Sequence, residues 1–244
     1  MLTISMSVRM HPCGVMLPGR IQNMKKMTLV LLVIAAVVVA VIMIVSHGDS
    51  WVDSIGRTSR SNDVTYKPVI YLYPKQEEHV LVKLHPDAGF ICTYPRYEDG
   101  WEVTASPDGT LKAGGKQYNY LYWEGRINTT YDFSKGSVVK GEETAAFLEK
   151  ALEEQGLTRR EANEFIVYWL PQMEKNPYNL ISFQTRAYTD HATLSVEPEP
   201  DHVIRVFMAW KPVDAPIDIV PQAFKTPERN GFTVVEWGGA EVID

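Results

Sequence analysis

Cysteine is nearly absent from this chain, which contains only Cys13 and Cys92. Two cysteines cannot build a disulfide-rich scaffold or a four-cysteine zinc site. Histidine does not supply a zinc pattern either, because no H-E-x-x-H sequence occurs and His79 and His85 would lie about 20 Å apart along an extended strand. We therefore expect no metal and no cofactor.

Sequence patterns of known catalytic sites are also missing. The chain has no G-x-S-x-G nucleophile elbow, no phosphate-binding P-loop and no G-x-G-x-x-G fingerprint. Asp190 and Asp201 each precede a histidine, but neighbouring strand residues point to opposite faces, so neither pair is expected to be a base with its orienting carboxylate. These absences favour a protein that is not an enzyme.

Positive charge is scarce beyond residue 26. The first 26 residues contain no acidic side chain and four cations, which are Arg9, Arg20, Lys25 and Lys26. The rest of the chain has the other 20 of the 24 Lys and Arg residues and all 30 Asp and Glu residues, a formal charge of −10. Nucleic-acid binding requires concentrated Lys and Arg, so a nucleic-acid partner is not expected.

The longest apolar segment spans residues 27–45, where Thr28 is the only polar side chain. As a helix it would reach roughly 28 Å, at about 1.5 Å per residue, close to the roughly 30 Å hydrocarbon core of a bilayer. Cations precede the segment, and Asp49 and Asp53 follow it, which predicts a cytoplasmic N-terminus. A cleaved signal peptide is the alternative, although its apolar core is usually only about 7–15 residues long.

These patterns divide the chain into four expected parts. They are a short cytoplasmic tail at 1–26, a single-pass signal anchor in the cell membrane at 27–46, a polar stalk at 47–62 and one extracytoplasmic domain at 63–244. All aromatic residues lie beyond the anchor, which is the composition of a packed domain.

Strand patterns dominate the first part of that domain. Asp99-Gly100 and Pro107-Asp108-Gly109 supply turn residues between the alternating segments, which predicts an antiparallel meander. The expected strands are 64–73, 79–84, 90–94, 101–104, 110–112 and 118–124.

After these strands, the spacing of apolar residues changes to the period of an α-helix. Apolar residues recur on one face of 142–155, which Gly156 is well placed to end. Thr158 and Glu161 have the spacing of a capping box, ahead of a second helix that is predicted to end at Pro171.

This second helix is apolar on nearly all sides over residues 165–170, so we expect it to be buried, with Phe165, Ile166 and Trp169 against the sheet. Strands resume at 180–184, 193–197, 203–210 and 233–237. The order predicts an α+β fold, namely an antiparallel, β-rich, sandwich-like domain with an inserted helical pair.

Three tyrosines alternate near the end of the meander. Tyr118, Tyr120 and Tyr122 would share one face of a single strand, while Leu121 and Trp123 would point into the core. Such a ladder can stack on sugar rings, or it can serve ordinary cross-strand packing. The first interpretation predicts a binding face for a cell-wall glycan.

Two charged residues complete the candidate site. Glu124 lies at the predicted strand end, where a glycosidase would need a second carboxylate about 5–10 Å away; the alternative is an ion pair with Arg126. Arg205 lies in a predicted strand, where it could bind an anion or extend its apolar stem across the sheet.

Four segments carry a resemblance to a known family. They are KPVIYLYP at 67–74, PDGTL at 107–111, YLYWE at 120–124 and FIVYWLP at 165–171. Together they resemble an uncharacterised family of bacterial and fungal extracytoplasmic proteins, over about residues 67–238. The resemblance implies a single secreted or tethered domain and transfers no catalytic residue.

The expected function is a membrane-tethered binding or structural module of the cell envelope, whose partner is a cell-wall glycan or an envelope protein. The alternative is an envelope hydrolase that acts on glycan or peptide through carboxylates such as Glu124.

Overall fold

Residues 64–243 are described by a computed structural model of the chain. The predicted tail, anchor and stalk lie outside these residues. Within the described part, no helix combines the length and the apolar character needed to cross a bilayer.

The larger sheet has seven strands. They are β1 Val64–Tyr73, β3 Phe90–Tyr94, β7 Leu121–Arg126, β8 Ser137–Lys140, β9 Tyr178–Phe183, β11 His202–Val213 and β12 Thr233–Glu241. Their order in the sheet is β3, β7, β1, β12, β11, β9, β8. The pairing of β11 with β12 is parallel, and the other pairings in this sheet are antiparallel.

The smaller sheet has five strands, all antiparallel to their neighbours. They are β2 Glu78–Pro86, β4 Trp101–Ala105, β5 Leu111–Ala113, β6 Lys116–Tyr118 and β10 Ala192–Glu197. Their order is β10, β2, β4, β5, β6.

Three α-helices accompany the sheets. They are α1 Thr144–Glu154, which follows a 3₁₀ turn at Gly141–Glu143, α2 Arg159–Met173 and the short α3 Thr185–Thr189. The predicted capping box at the start of α2 is confirmed: the Glu161 N–H donates to Thr158 Oγ1 at 3.4 Å, and the Thr158 N–H donates to Glu161 Oε2 at 2.7 Å. Pro171 removes one main-chain hydrogen bond without ending the helix.

Two apolar cores make the domain three layers deep. One core lies between α1, α2 and the seven-stranded sheet and contains Phe165, Trp169 and Trp237. The other lies between the two sheets and contains Leu121 and Val234. The seven-stranded sheet is therefore the middle layer, which explains why β11 and β12 read as nearly continuous apolar runs.

The expected β-rich, mostly antiparallel, two-sheet architecture with a helical pair is confirmed, and so is the burial of Phe165, Ile166 and Trp169. Two predictions are wrong. β3 and β4, on either side of Asp99-Gly100, lie in different sheets, so they do not pair in the expected meander. The expected strand 118–124 is divided, because β6 ends at Tyr118 in the smaller sheet and β7 begins at Leu121 in the larger one. A bend at Asn119 and Tyr120 carries the chain between the sheets.

The long connection from β11 to β12 is fixed by side chains. Gln222 accepts from the Phe183 N–H at 2.8 Å and donates to the Phe183 carbonyl at 2.9 Å, in the way that a neighbouring strand would. Arg229 donates to both carboxylate oxygens of buried Glu161, at 2.9 and 3.0 Å. These contacts tie the connection to the end of β9 and to the start of α2.

Candidate functional site

Among the described residues, five half-buried tyrosines pack against the core on the helix side of the seven-stranded sheet, and four of them are Tyr66, Tyr120, Tyr122 and Tyr168. We call these four the tyrosine patch. Tyr66 belongs to β1, Tyr122 to β7 and Tyr168 to α2, while Tyr120 lies in the bend before β7. Because β7 is the second strand from the sheet edge, the patch lies near that edge.

The opposite face of β7 is fully buried, as predicted. Leu121 and Trp123 have no exposed area and belong to the core between the sheets. The alternation of this strand therefore assigns Tyr122 to the patch.

Tyr118 does not belong to the patch, and the prediction that three tyrosines share one face is wrong. Tyr118 lies in β6 of the smaller sheet and packs against the core between the sheets. Its ring meets Tyr94 edge to face, with 5.4 Å between centroids. The period-two argument fails here because the chain changes sheet between Tyr118 and Tyr120.

The Glu164 carboxylate lies at one side of the patch. It accepts a hydrogen bond from the Tyr71 hydroxyl at 3.0 Å, and the Tyr120 ring meets Tyr71 edge to face at 5.4 Å between centroids. Burial, assisted by the charge of Glu164, raises the pKa of the Tyr71 phenol far above its usual value and also raises the pKa of Tyr120. Both phenols therefore stay protonated at neutral pH.

Glu124 lies at the other side. Burial and the neighbouring Glu124 carboxylate raise the pKa of the Tyr122 phenol, and they raise the pKa of Tyr168 in the same way. Glu124 is half-buried and is paired in register with Cys92 of β3. The patch is thus bounded by two carboxylates that approach it from different elements.

Lys67 brings a positive charge to the patch from a bulge in β1. Its backbone is left-handed, with φ of 50°, at a point where the register of β1 shifts against both neighbours. Left-handed backbone is uncommon outside glycine, and such strain is concentrated at functional positions. The Lys67 Nζ lies 5.3 Å from the centre of the Tyr168 ring and 6.0 Å from that of Trp237.

Arg205 was predicted to bind an anion or to extend its apolar stem across the sheet, and in the structure its guanidinium is held in an ion pair inside the domain. Its side chain is 9% exposed and forms an ion pair with fully buried Glu236, its register partner on β12. Glu236 Oε1 also accepts hydrogen bonds from Trp123 Nε1 at 3.0 Å and from the Tyr188 hydroxyl at 2.8 Å. The Arg205 guanidinium lies 4.7 Å from the Tyr188 ring centre, and we call these four residues the buried polar cluster.

Within residues 64–243, the two histidines that follow an aspartate contact other residues. His191 Nδ1 lies 2.8 Å from Asp87 Oδ2, and His202 Nε2 lies 2.6 Å from Asn230 Oδ1, so neither pairs with its preceding aspartate. Among residues 64–243, no group of three or more His, Cys, Asp and Glu side chains could hold a metal ion.

Sequence reasoning identified Tyr120, Tyr122 and Glu124 but missed the residues that other elements add. Glu164 and Tyr168 are four residues apart on α2 and so share a helix face, which was a usable signal. No comparable signal marked Tyr66 or Glu236, because their partners lie far away in the chain. Tyr66 is paired in register with Gly239, and Glu236 meets Trp123 of β7 and Tyr188 of α3.

Comparison with known proteins gives one short match. A protein of Butyrivibrio fibrisolvens, described as an uncharacterized protein in the bglA 3' region, is 39% identical over 62 residues, which are 24% of this chain and 65% of that protein. The chain thus spans just under two thirds of that relative's length. No protein-family model matches the chain. No solved structure matches it either.

Proposed function

We propose that the domain is a non-catalytic binding module of the cell envelope that stacks a carbohydrate on the tyrosine patch. The observation that carries this proposal is the combination of half-exposed, protonated tyrosine rings with carboxylates at two sides.

The chemistry of the patch matches that of a sugar ring. An aromatic ring offers a flat apolar face to the C–H groups of a sugar, while its hydroxyl remains able to donate and accept hydrogen bonds. Glu124 and Glu164 would accept hydrogen bonds from sugar hydroxyls, and charged acceptors form stronger hydrogen bonds than neutral ones. The positive charge of Lys67 would complement the negative charge of an acidic sugar.

A hydrolase that uses the same two carboxylates is the second candidate. Glu124 of β7 and Glu164 of α2 both lie beside the tyrosine patch, and a glycosidase needs two carboxylates about 5–10 Å apart on one surface. Release of new reducing ends from a glycan, lost in the Glu124→Gln variant, would favour this alternative over a binding module.

Removal of one patch ring should separate binding from packing. In the detergent-solubilised full chain, Tyr120→Ala is expected to weaken adsorption to isolated cell-wall material by about tenfold, which corresponds to about 1.4 kcal/mol. Tyr120→Phe should keep most of the affinity, since it retains the ring.

The matched control is Tyr118→Ala, which removes a half-buried tyrosine from the other sheet and should leave adsorption unchanged. Circular dichroism shows whether the Tyr120→Ala protein is folded. If it is folded and still adsorbs to cell-wall material, the patch has a structural role rather than a binding role.

We further propose that residues 27–46 anchor the protein in the membrane, with the domain outside the cell, on the basis of the apolar run and the charges around it. Protease treatment of intact cells should then release the domain by cleavage within residues 47–62, while a tag at the N-terminus stays protected. A mature protein that begins near residue 47 without any protease would show a cleaved signal peptide instead.

A further inference from the structure

The edge of the larger sheet formed by β3 has an unusual surface. Within the described chain, β3 pairs with β7 alone, so one row of its backbone N–H and C=O groups faces away from the sheet. Large apolar side chains are exposed along it: Phe90 by 36%, Ile91 by 46% and Tyr94 by 60%. Cys92, at the centre of the strand, is exposed as well.

The other three edge strands each carry a charged residue, and β3 carries none. Lys116 lies in β6, Lys140 in β8 and Glu197 in β10, whereas the sequence of β3 is FICTY. Charged or proline residues on an edge strand normally prevent pairing with another chain. Within the described part of the protein, β3 is therefore the edge strand that lacks a charged residue, and its register against β7 shifts between Phe90 and Cys92.

We infer that β3 is the contact between two copies of this chain, paired antiparallel about a two-fold axis at Cys92. A two-fold interface must be complementary to itself. In this register Phe90 of one copy lies opposite Tyr94 of the other, and Ile91, at the register shift of β3, lies opposite Thr93. Aromatic and β-branched side chains are favourable cross-strand partners.

The charges beside β3 favour the antiparallel arrangement and an identical partner. Exposed Asp87 precedes the strand, and exposed Arg96 follows it. Antiparallel pairing brings Arg96 of one copy near Asp87 of the other, whereas parallel pairing would bring like charges together. An unrelated extended peptide would use the same backbone groups but would not supply both opposite charges by symmetry.

Such a dimer would also join two tyrosine patches. Tyr94 and Cys92 of β3 are register partners of Tyr122 and Glu124, so the contact borders the patch. The two patches would then lie on one continuous sheet and could bind the same glycan chain, which raises the effective affinity. This consequence rests on the proposed function, but the strand contact does not.

Cross-linking at Cys92 tests the contact. In the full chain carrying Cys13→Ser, Cys92 is the only remaining thiol. Residues directly opposite in an antiparallel pair have Cβ atoms about 4.5–5.5 Å apart, so a short bismaleimide should convert the protein to a covalent dimer. Because one strand contact is small, the yield should rise with protein concentration.

Ile91→Lys in the same background should lower the cross-linked fraction at least about tenfold, because it places a charge in the pairing strand of both copies. The control Val167→Lys adds the same charge at an exposed apolar residue of α2, which is 65% exposed, and should leave the fraction unchanged. The sedimentation mass should change in parallel, from dimer to monomer in Ile91→Lys alone.

Two results would overturn the inference. A monomeric mass for the unmodified chain at high concentration would show that β3 does not pair with itself. Cross-linking that persists in Ile91→Lys would place the contact between copies elsewhere. Since neither measurement involves glycan, a dimer without adsorption to cell-wall material would contradict the proposed function and leave this inference standing.

Discussion

Glu236→Ala is expected to lower the free energy of unfolding by about 3–5 kcal/mol, because it leaves the Arg205 charge buried without a counter-ion. The same change removes the acceptor for Trp123 Nε1 and for the Tyr188 hydroxyl. Urea denaturation followed by tryptophan fluorescence measures the loss. The control Glu143→Ala removes an exposed partner of Lys140, 3.5 Å away, and should change stability by less than about 1 kcal/mol.

A second variant distinguishes the ion pair from simple loss of packing. Replacing both Arg205 and Glu236 with leucine removes both charges, so much of the loss in Glu236→Ala should be recovered. If the double variant is as unstable as Glu236→Ala, the buried polar cluster is needed for its hydrogen bonds or its shape rather than for balanced charge. A loss below about 1 kcal/mol in Glu236→Ala itself would contradict the burial of this cluster.

Local patterns in the sequence predicted the elements well. The limits of β1 and β3 agree with the prediction, as does the capping box at Thr158. These features depend on near neighbours, such as alternation along a strand or two residues that are three apart at a helix start. The same is true of Leu121 and Trp123, whose inward orientation follows from alternation alone.

The partners of each strand could not be predicted in this way. Alternation shows that a segment has a buried face, but it does not show which sheet receives it, so Tyr118 and Tyr120 were assigned to one strand. The parallel pairing of β11 with β12 likewise depends on the connection held by Gln222 and Arg229. Such contacts join residues far apart in the chain, and no periodic pattern records them.

The residues of the candidate site divide in the same way, into those that local sequence patterns predicted and those that they did not. Tyr122 and Glu124 are close in sequence and were found together, whereas Glu164 and Tyr168 arrive on α2 and Tyr66 arrives on β1. The patch exists only where three elements meet. Tyr120, Tyr122 and Glu124 were therefore proposed from the sequence, whereas the residues that α2 and β1 add were not.

Trp169→Ala is expected to cost about 3–5 kcal/mol of unfolding free energy, because it removes a buried indole between α2 and the sheet. Trp169 is 1% exposed, its ring centre lies 6.4 Å from that of Trp210, and a methyl group at Gly239 of β12 would lie 2.7 Å from its Cζ2 atom. On the β12 side the indole faces bare backbone, so Gly239 offers no side chain that could fill the space. Val167→Ala, on the exposed side of the same helix, should cost less than about 0.5 kcal/mol. Urea denaturation measures the change in unfolding free energy. A loss below about 1 kcal/mol for Trp169→Ala would show that packing of α2 against the sheet does not depend on Trp169.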